Sequence, residues 1–364
     1  GDHRDLHSFP TRRSSESLSA TAGDPRILRA HQDAVRDITI SADGKYLYSC
    51  GDDQQVLRWD LTETKNAPVA ATLPRGLKEN FRAIMLTKDG KWLVAGTISG
   101  KLIVWNTANF PFAAQQLEAH TQIVNALRPD PVRNAFYSVA SDGKVLRWNS
   151  EIMPFQHSLI DQLPEAVQSA ALTADGNALA LAQASGKIKL ILLAGNSPAL
   201  GAMQAVNSPV RVLRFSPDAK TLLMGCLDGS LRSSRFDGSN LDEAIVLAGR
   251  HISGINAFDF DPAGKHISTA SYDQTIRLSQ FPLTEESPVT ISSHEGWVYG
   301  LSYSPDGLNI ISCSADRSIR IFSSDEQQIA HQLQLKVRRN FSHAEWAKVI
   351  GADVPYQKTI NELP

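Results

Sequence analysis

Apolar and polar positions alternate along this chain in short runs, and each run is cut off by a turn. The clearest unit reads His31, Val35, Ile38, Ile40, the turn Asp43-Gly44, Tyr46-Leu47, Ser49, Asp53, then Val56-Leu57-Arg58-Trp59-Asp60. Such alternation between turn residues predicts a series of short β-strands. The same unit returns from His120 to Val145-Leu146-Arg147-Trp148, from His251 to Ile276-Arg277-Leu278, and from His294 to Ile319-Arg320-Ile321-Phe322. Three weaker copies fill the gaps: Phe81 to Trp105 through Asp89-Gly90, Val167 to Ile191 through Asp175-Gly176, and Val210 to Ser234 through Ser216-Pro217-Asp218. A period of roughly 40 residues marks an array of stacked units, each of which needs its neighbours to bury its apolar face. About seven such units match blades of four-stranded sheet around a central channel.

The register resembles the WD-repeat (WD40) β-propeller family over nearly everything from Pro25 to Phe322. The resemblance implies an all-β, seven-bladed propeller across residues 25–322. It also implies that a His, a Ser or Thr, an Asp and a Trp form a hydrogen-bonded chain that locks a blade. His31, Ser49, Asp53 and Trp59 make a full set, as do His120, Ser138, Asp142 and Trp148. The set decays where His251, Thr269 and Asp273 meet Ser279, and where His294, Ser312 and Asp316 meet Phe322. The blades ending at Trp105, Ile191 and Ser234 lack a matching His, so apolar packing is expected to hold them. Ser, His and Asp together also invite a catalytic-triad reading, but a triad needs a substrate pocket and these groups are expected inside a sheet.

Composition narrows the function classes. With 364 residues, 42% of them hydrophobic, the chain can bury a large core, and a formal charge of -2 gives no footprint for bulk nucleic-acid or anionic-membrane binding. No apolar run is long enough to span a bilayer. Of the three cysteines, Cys50 and Cys313 hold equivalent positions in different blades. Free thiols in a reducing, cytoplasmic setting are expected rather than a disulfide. There is no Gly-rich phosphate loop, metal-spaced His or Cys pair, or nucleophile elbow, so neither enzyme activity nor a cofactor or metal is expected. Asp237-Gly238-Ser239-Asn240-Leu241-Asp242 reads as a solvated turn rather than a calcium loop.

What remains for function is the channel mouth. In the family, alternate residues of the innermost strands face the channel, and the position after the first apolar residue reads Arg36, Arg82, Asn125, Gln168, Arg211, Asn256 and Tyr299. All are polar and none is acidic. Two residues earlier lie Ala34, Asn80, Ile123, Ala166, Pro209, Gly254 and Trp297. Guanidinium forks in a concave mouth point to an acidic peptide, a carboxylate or a phosphate, and Trp297 is a natural interface anchor. A merely water-filled polar channel is the alternative. A propeller enzyme of lactonase or glycosidase type would need convergent carboxylates, which this ring lacks.

The ends carry separate expectations. Residues 1–15 resemble a translated sequencing adapter, are expected to be disordered and are set aside, with 16–24 as a linker. Arg26-Ile27-Leu28-Arg29 is expected to supply the outer strand of the last blade by pairing with Ile319–Phe322. Residues 323–364 are expected to form a helical tail packed on the propeller. Ser324-Asp325-Glu326-Gln327 reads as one helix start, with Ile329, Leu333 and Val337 on one face, and Ser342 with Glu345 reads as a second start. The run Arg338-Arg339-Asn340-Phe341 to Trp346, with Gly351 and Pro355-Tyr356-Gln357-Lys358-Thr359, resembles tails of bacterial multidomain proteins. Those proteins carry an upstream STAND-type NTPase, caspase-like peptidase or kinase. The expected function is therefore a protein-binding or ligand-sensing propeller of a truncated bacterial signalling protein, with a free-standing scaffold as the alternative.

Overall fold

The computed structural model describes residues 25–325, apart from 64–66, 194–198, 248–249, 284–287 and 293, together with Ser342. The adapter and linker readings at 1–24, and the helices, tail motifs and upstream effector read from 326–364, lie outside the described residues.

Among the described residues the strands form seven four-stranded antiparallel sheets. Their innermost strands, Val35–Ile40, Phe81–Leu86, Val124–Pro129, Val167–Leu172, Val210–Phe215, Ile255–Phe260 and Val298–Tyr303, define blades one to seven, and in the first six blades the innermost strand comes first in chain order. The last blade takes its outer strand from the start of the propeller, with Arg26 opposite Ile321 and Leu28 opposite Ile319. That exchange follows from the sequence pattern, and it leaves neither end of the ring with an open edge. Leu28 is buried in the closing contact beside Ile311 and Ile319.

The innermost strands all share one irregularity. Each shifts register two residues in, between Val35 and Asp37 in blade one, and at the matching positions in the other six. The bulge breaks simple alternation and turns polar side chains onto the neighbouring blade. The Asp37 carboxylate accepts the Ile84 N–H at 2.9 Å, and Ser169 Oγ accepts the Leu213 N–H at 3.1 Å. Asn125 donates to the Val167 carbonyl at 2.7 Å, Arg128 to Ala170 at 2.8 Å and Asn256 to Val298 at 2.9 Å. Buried backbone groups are thereby paired where sheet ladders cannot reach them.

Between blades the contact is apolar and close. An added Cβ at Gly96 would fall 2.6 Å from Val124 Cγ1 of blade three, and one at Gly225 would fall 2.8 Å from Ile255 Cγ2 of blade six. Blade four, with no His, fills its interior with Ala178, Ala180, Ala182, Ile188 and Leu190. In blade two, Trp105 lacks a hydroxyl partner and donates to the Thr72 carbonyl at 3.0 Å. The Trp105 indole is thus satisfied without the motif.

Candidate functional site

The polar sets inside the blades come first, because their proton positions follow from chemistry. In blade one His31 Nε2 lies 2.8 Å from Ser49 Oγ, and Nδ1 lies 2.8 Å from Asp53. Trp59 Nε1 donates to the same Ser49 Oγ at 2.8 Å. A carboxylate only accepts, so His31 gives its Nδ1 proton to Asp53, and Nε2 of the neutral imidazole then accepts the Ser49 hydroxyl proton while Ser49 Oγ accepts from the indole. Blade three repeats this with Trp148, Ser138, His120 and Asp142. Blades six and seven keep the His contacts to Thr269 with Asp273, and to Ser312 with Asp316, but have no indole donor. Burial holds His120, His251 and His294 below the usual imidazole range despite their carboxylate partners. For Asp53, burial works upward, and the hydrogen bonds from His31 and from the Gln32 and Gln55 N–H groups outweigh it, leaving the carboxyl lowered. Ser49, Ser138 and Ser312 are fully buried, so no substrate reaches these triad-like hydroxyls.

At the mouth, the seven ring residues and Trp297 line one cavity of about 510 Å³, joined by Ile123, Ser141 and Tyr272. The three arginines differ. Arg36 Nε donates to Asp52 at 2.7 Å, a second fork nitrogen pairs with the same oxygen, and the guanidinium carbon sits 4.2 Å from the Tyr299 ring centre. Arg211 donates to the Tyr272 hydroxyl at 2.9 Å. Arg82 has no hydrogen-bond or ion-pair partner among the described residues, and burial with the nearby Arg36 charge lowers its pKa. Opposite stand three rings packed edge to face: Tyr272 to Trp297 at 5.0 Å, Tyr272 to Tyr299 at 6.2 Å and Trp297 to Tyr299 at 6.3 Å. Trp297 is 52% exposed.

The sequence profile of the WD domain, G-beta repeat, matches residues 24–60, 246–278 and 286–323. This chain is a seven-bladed propeller built of WD40 repeats. Among curated proteins it is similar to the 66 kDa stress protein of Physarum polycephalum, 24% identical over 65% of this chain and 45% of that protein. It is also similar to mouse striatin, 21% identical over 84% of this chain and 43% of that protein. Actin-interacting protein 1 of Drosophila melanogaster is 20% identical over 74% of this chain and 44% of its own length. The chain thus spans less than half of each of these relatives.

The channel also holds acids outside the ring positions. Asp52 stands at the mouth beside Arg36, and Asp37, directly after Arg36, lines a deeper cavity into which the bulge also brings residues three positions after the ring. Thr39, Arg128, Arg214 and Ser302 line this lower cavity of about 330 Å³. Burial raises the Asp37 carboxyl to about 6 against two backbone N–H donors. Arg128 is lowered to about 10, by burial first and then by Arg214, which pairs with Asp259 at 3.1 Å. Asp259 also accepts the Tyr303 N–H of the next blade at 3.1 Å. These charges are engaged in joining blades. The mouth residues missed from sequence share a signal: Asp52, Ser141 and Tyr272 each immediately precede the Asp of a blade set. Among the described residues, no helix is long and apolar enough to cross a membrane, and no cluster of His, Cys, Asp or Glu could hold a metal ion.

Proposed function

We propose that this WD40 propeller is a protein-binding module whose channel mouth takes a linear, acidic segment of a partner. The observation that carries the reading is the open Arg82 guanidinium facing an exposed Trp297 across one concave cavity. With Arg36 balanced by Asp52, two guanidinium charges remain at the mouth, and a recess concentrates their field. A channel that merely held water would not need a half-exposed tryptophan braced by two tyrosines. Arg and aromatic side chains in such settings supply most of an interface's binding energy. Binding is favoured over catalysis because the channel carboxylates are tied to backbone donors and to arginines. Recognition at the mouth does not depend on whether the propeller stands free or serves a bacterial signalling effector. An effector assay on the parent protein with and without a bound segment would separate those settings.

The test is capture of peptides from a displayed random library by the full chain and by an Arg82→Ala/Trp297→Ala variant. Wild type is expected to retain a peptide population that the variant loses, while both melt within a few degrees of each other, since exposed substitutions seldom cost much stability. Retention of the same population by the variant would contradict a binding role for the mouth.

A further inference from the structure

We infer that the mouth reads two side chains of one segment at once: a carboxylate on Arg82, and an aromatic or branched apolar group on Trp297 and Tyr272. The inference rests on the binding role proposed above and assigns it a ligand class. Its basis is that the three mouth arginines do different work. The Arg36 fork is held by Asp52 and its face lies on Tyr299, so it braces the aromatic wall. Arg211 braces the same wall from the other side through the Tyr272 hydroxyl. Arg82 alone is half-buried with its donors open, and an arriving carboxylate would pair with it without breaking an existing bond. A carboxylate fits better than a phosphate dianion, because the neighbouring Arg36 is already committed to Asp52.

The apolar half is continuous. Tyr272 donates its N–H to the Gly254 carbonyl at 3.0 Å, and an added Cβ at Gly254 would meet Leu227 Cδ1 at 3.0 Å. Leu227, 44% exposed, thus lies next to the Gly254 backbone that holds Tyr272. The rings do not make a cage for a cation. Guanidinium groups already approach Tyr299 at 4.2 Å and Tyr272 at 5.9 Å, and a third positive charge would be repelled. Arg82, Tyr272 and Trp297 line the same cavity, so one bound segment can meet the guanidinium and the aromatic wall together.

The probe is a phage-displayed random heptapeptide library selected on the full chain and depleted against the Arg82→Ala/Trp297→Ala variant. Enriched sequences should pair Asp or Glu with Phe, Trp, Tyr, Leu or Ile in the same peptide. For the most enriched peptide, measured by fluorescence anisotropy, Arg82→Ala should weaken binding at least tenfold. Replacing the peptide's acid by Gln should weaken it equally on wild type and have little further effect on Arg82→Ala. Enriched sequences that depend on the mouth but carry Lys or Arg at that place, or need phosphoserine there, would overturn the inference and leave the binding role standing. A selection that yields no peptide distinguishing wild type from the variant would overturn both.

Discussion

Removing one hydroxyl should cost more in blade three than in blade seven, although both serines are fully buried and both contact a histidine. Ser138 Oγ accepts the Trp148 N–H at 2.9 Å and bonds His120 Nε2 at 2.8 Å. Ser312 Oγ bonds His294 Nε2 at 2.8 Å, and Phe322 stands where the indole would be. A buried polar group left without a partner costs about 1–3 kcal/mol. Ser138→Ala strands two such groups and Ser312→Ala one, so the first should cost about 2–6 kcal/mol and the second about 1–3 kcal/mol. Urea unfolding followed by tryptophan fluorescence reads the difference, provided the m values agree. A cycle isolates the cause. In a Trp148→Phe background the indole donor is gone, and the cost of Ser138→Ala should fall by about 1–3 kcal/mol, towards the blade-seven value. Equal costs for the two serine variants, or an unchanged cost in the Trp148→Phe background, would refute the claim that the Ser138 hydroxyl satisfies the indole as well as the imidazole.

Other outcomes follow from the same structure. Acid should unfold the protein in two stages: His120, His251 and His294 sit below 6.5 in the native state, so the unfolded chain takes up protons first and stability falls as pH drops below that value. Asp53, Asp142, Asp273 and Asp316, held below 3.8, add a second loss as pH falls below that range. Asp37, raised to about 6, has the opposite sign: the native state protonates first and gains stability as pH falls from 6 towards 3.8. An Asp37→Asn variant should therefore lose stability more steeply across that window in pH-dependent melts. Gly96→Ala should wedge blades two and three apart at Val124, costing about 1–3 kcal/mol, with part of the loss recovered by a second Val124→Ala change in the same melts. Leu28→Asp should open the closing strand, speeding limited proteolysis near Arg26–Arg29.

The fold was legible because its signal is repeated and local. His, hydroxyl and Asp recur at separations of 18 and 22 residues in four blades, and any one copy sets the register of the weaker ones. Closure by Arg26–Arg29 was legible for the same reason, as an orphan strand ahead of the first His. The mouth was legible only in part. Counting one position per inner strand found Arg36, Arg82 and Arg211, but could not show that Asp52 neutralises the first and Tyr272 occupies the third. Those partners come from other loops and meet the ring only when the blades close. Asp37, Arg128 and Asp259 were missed because the bulge adds a residue and shifts the phase of alternation beyond it.

The most direct test of the account is a crystal structure of the full chain with a peptide selected by it. The peptide is expected across the mouth, with a carboxylate about 3 Å from the Arg82 guanidinium and an apolar side chain against Trp297. A peptide seated elsewhere would contradict the claim that the mouth is the binding site. Two such places are the outer strand Ile245–Val246 and the groove lined by Lys220 and Arg235.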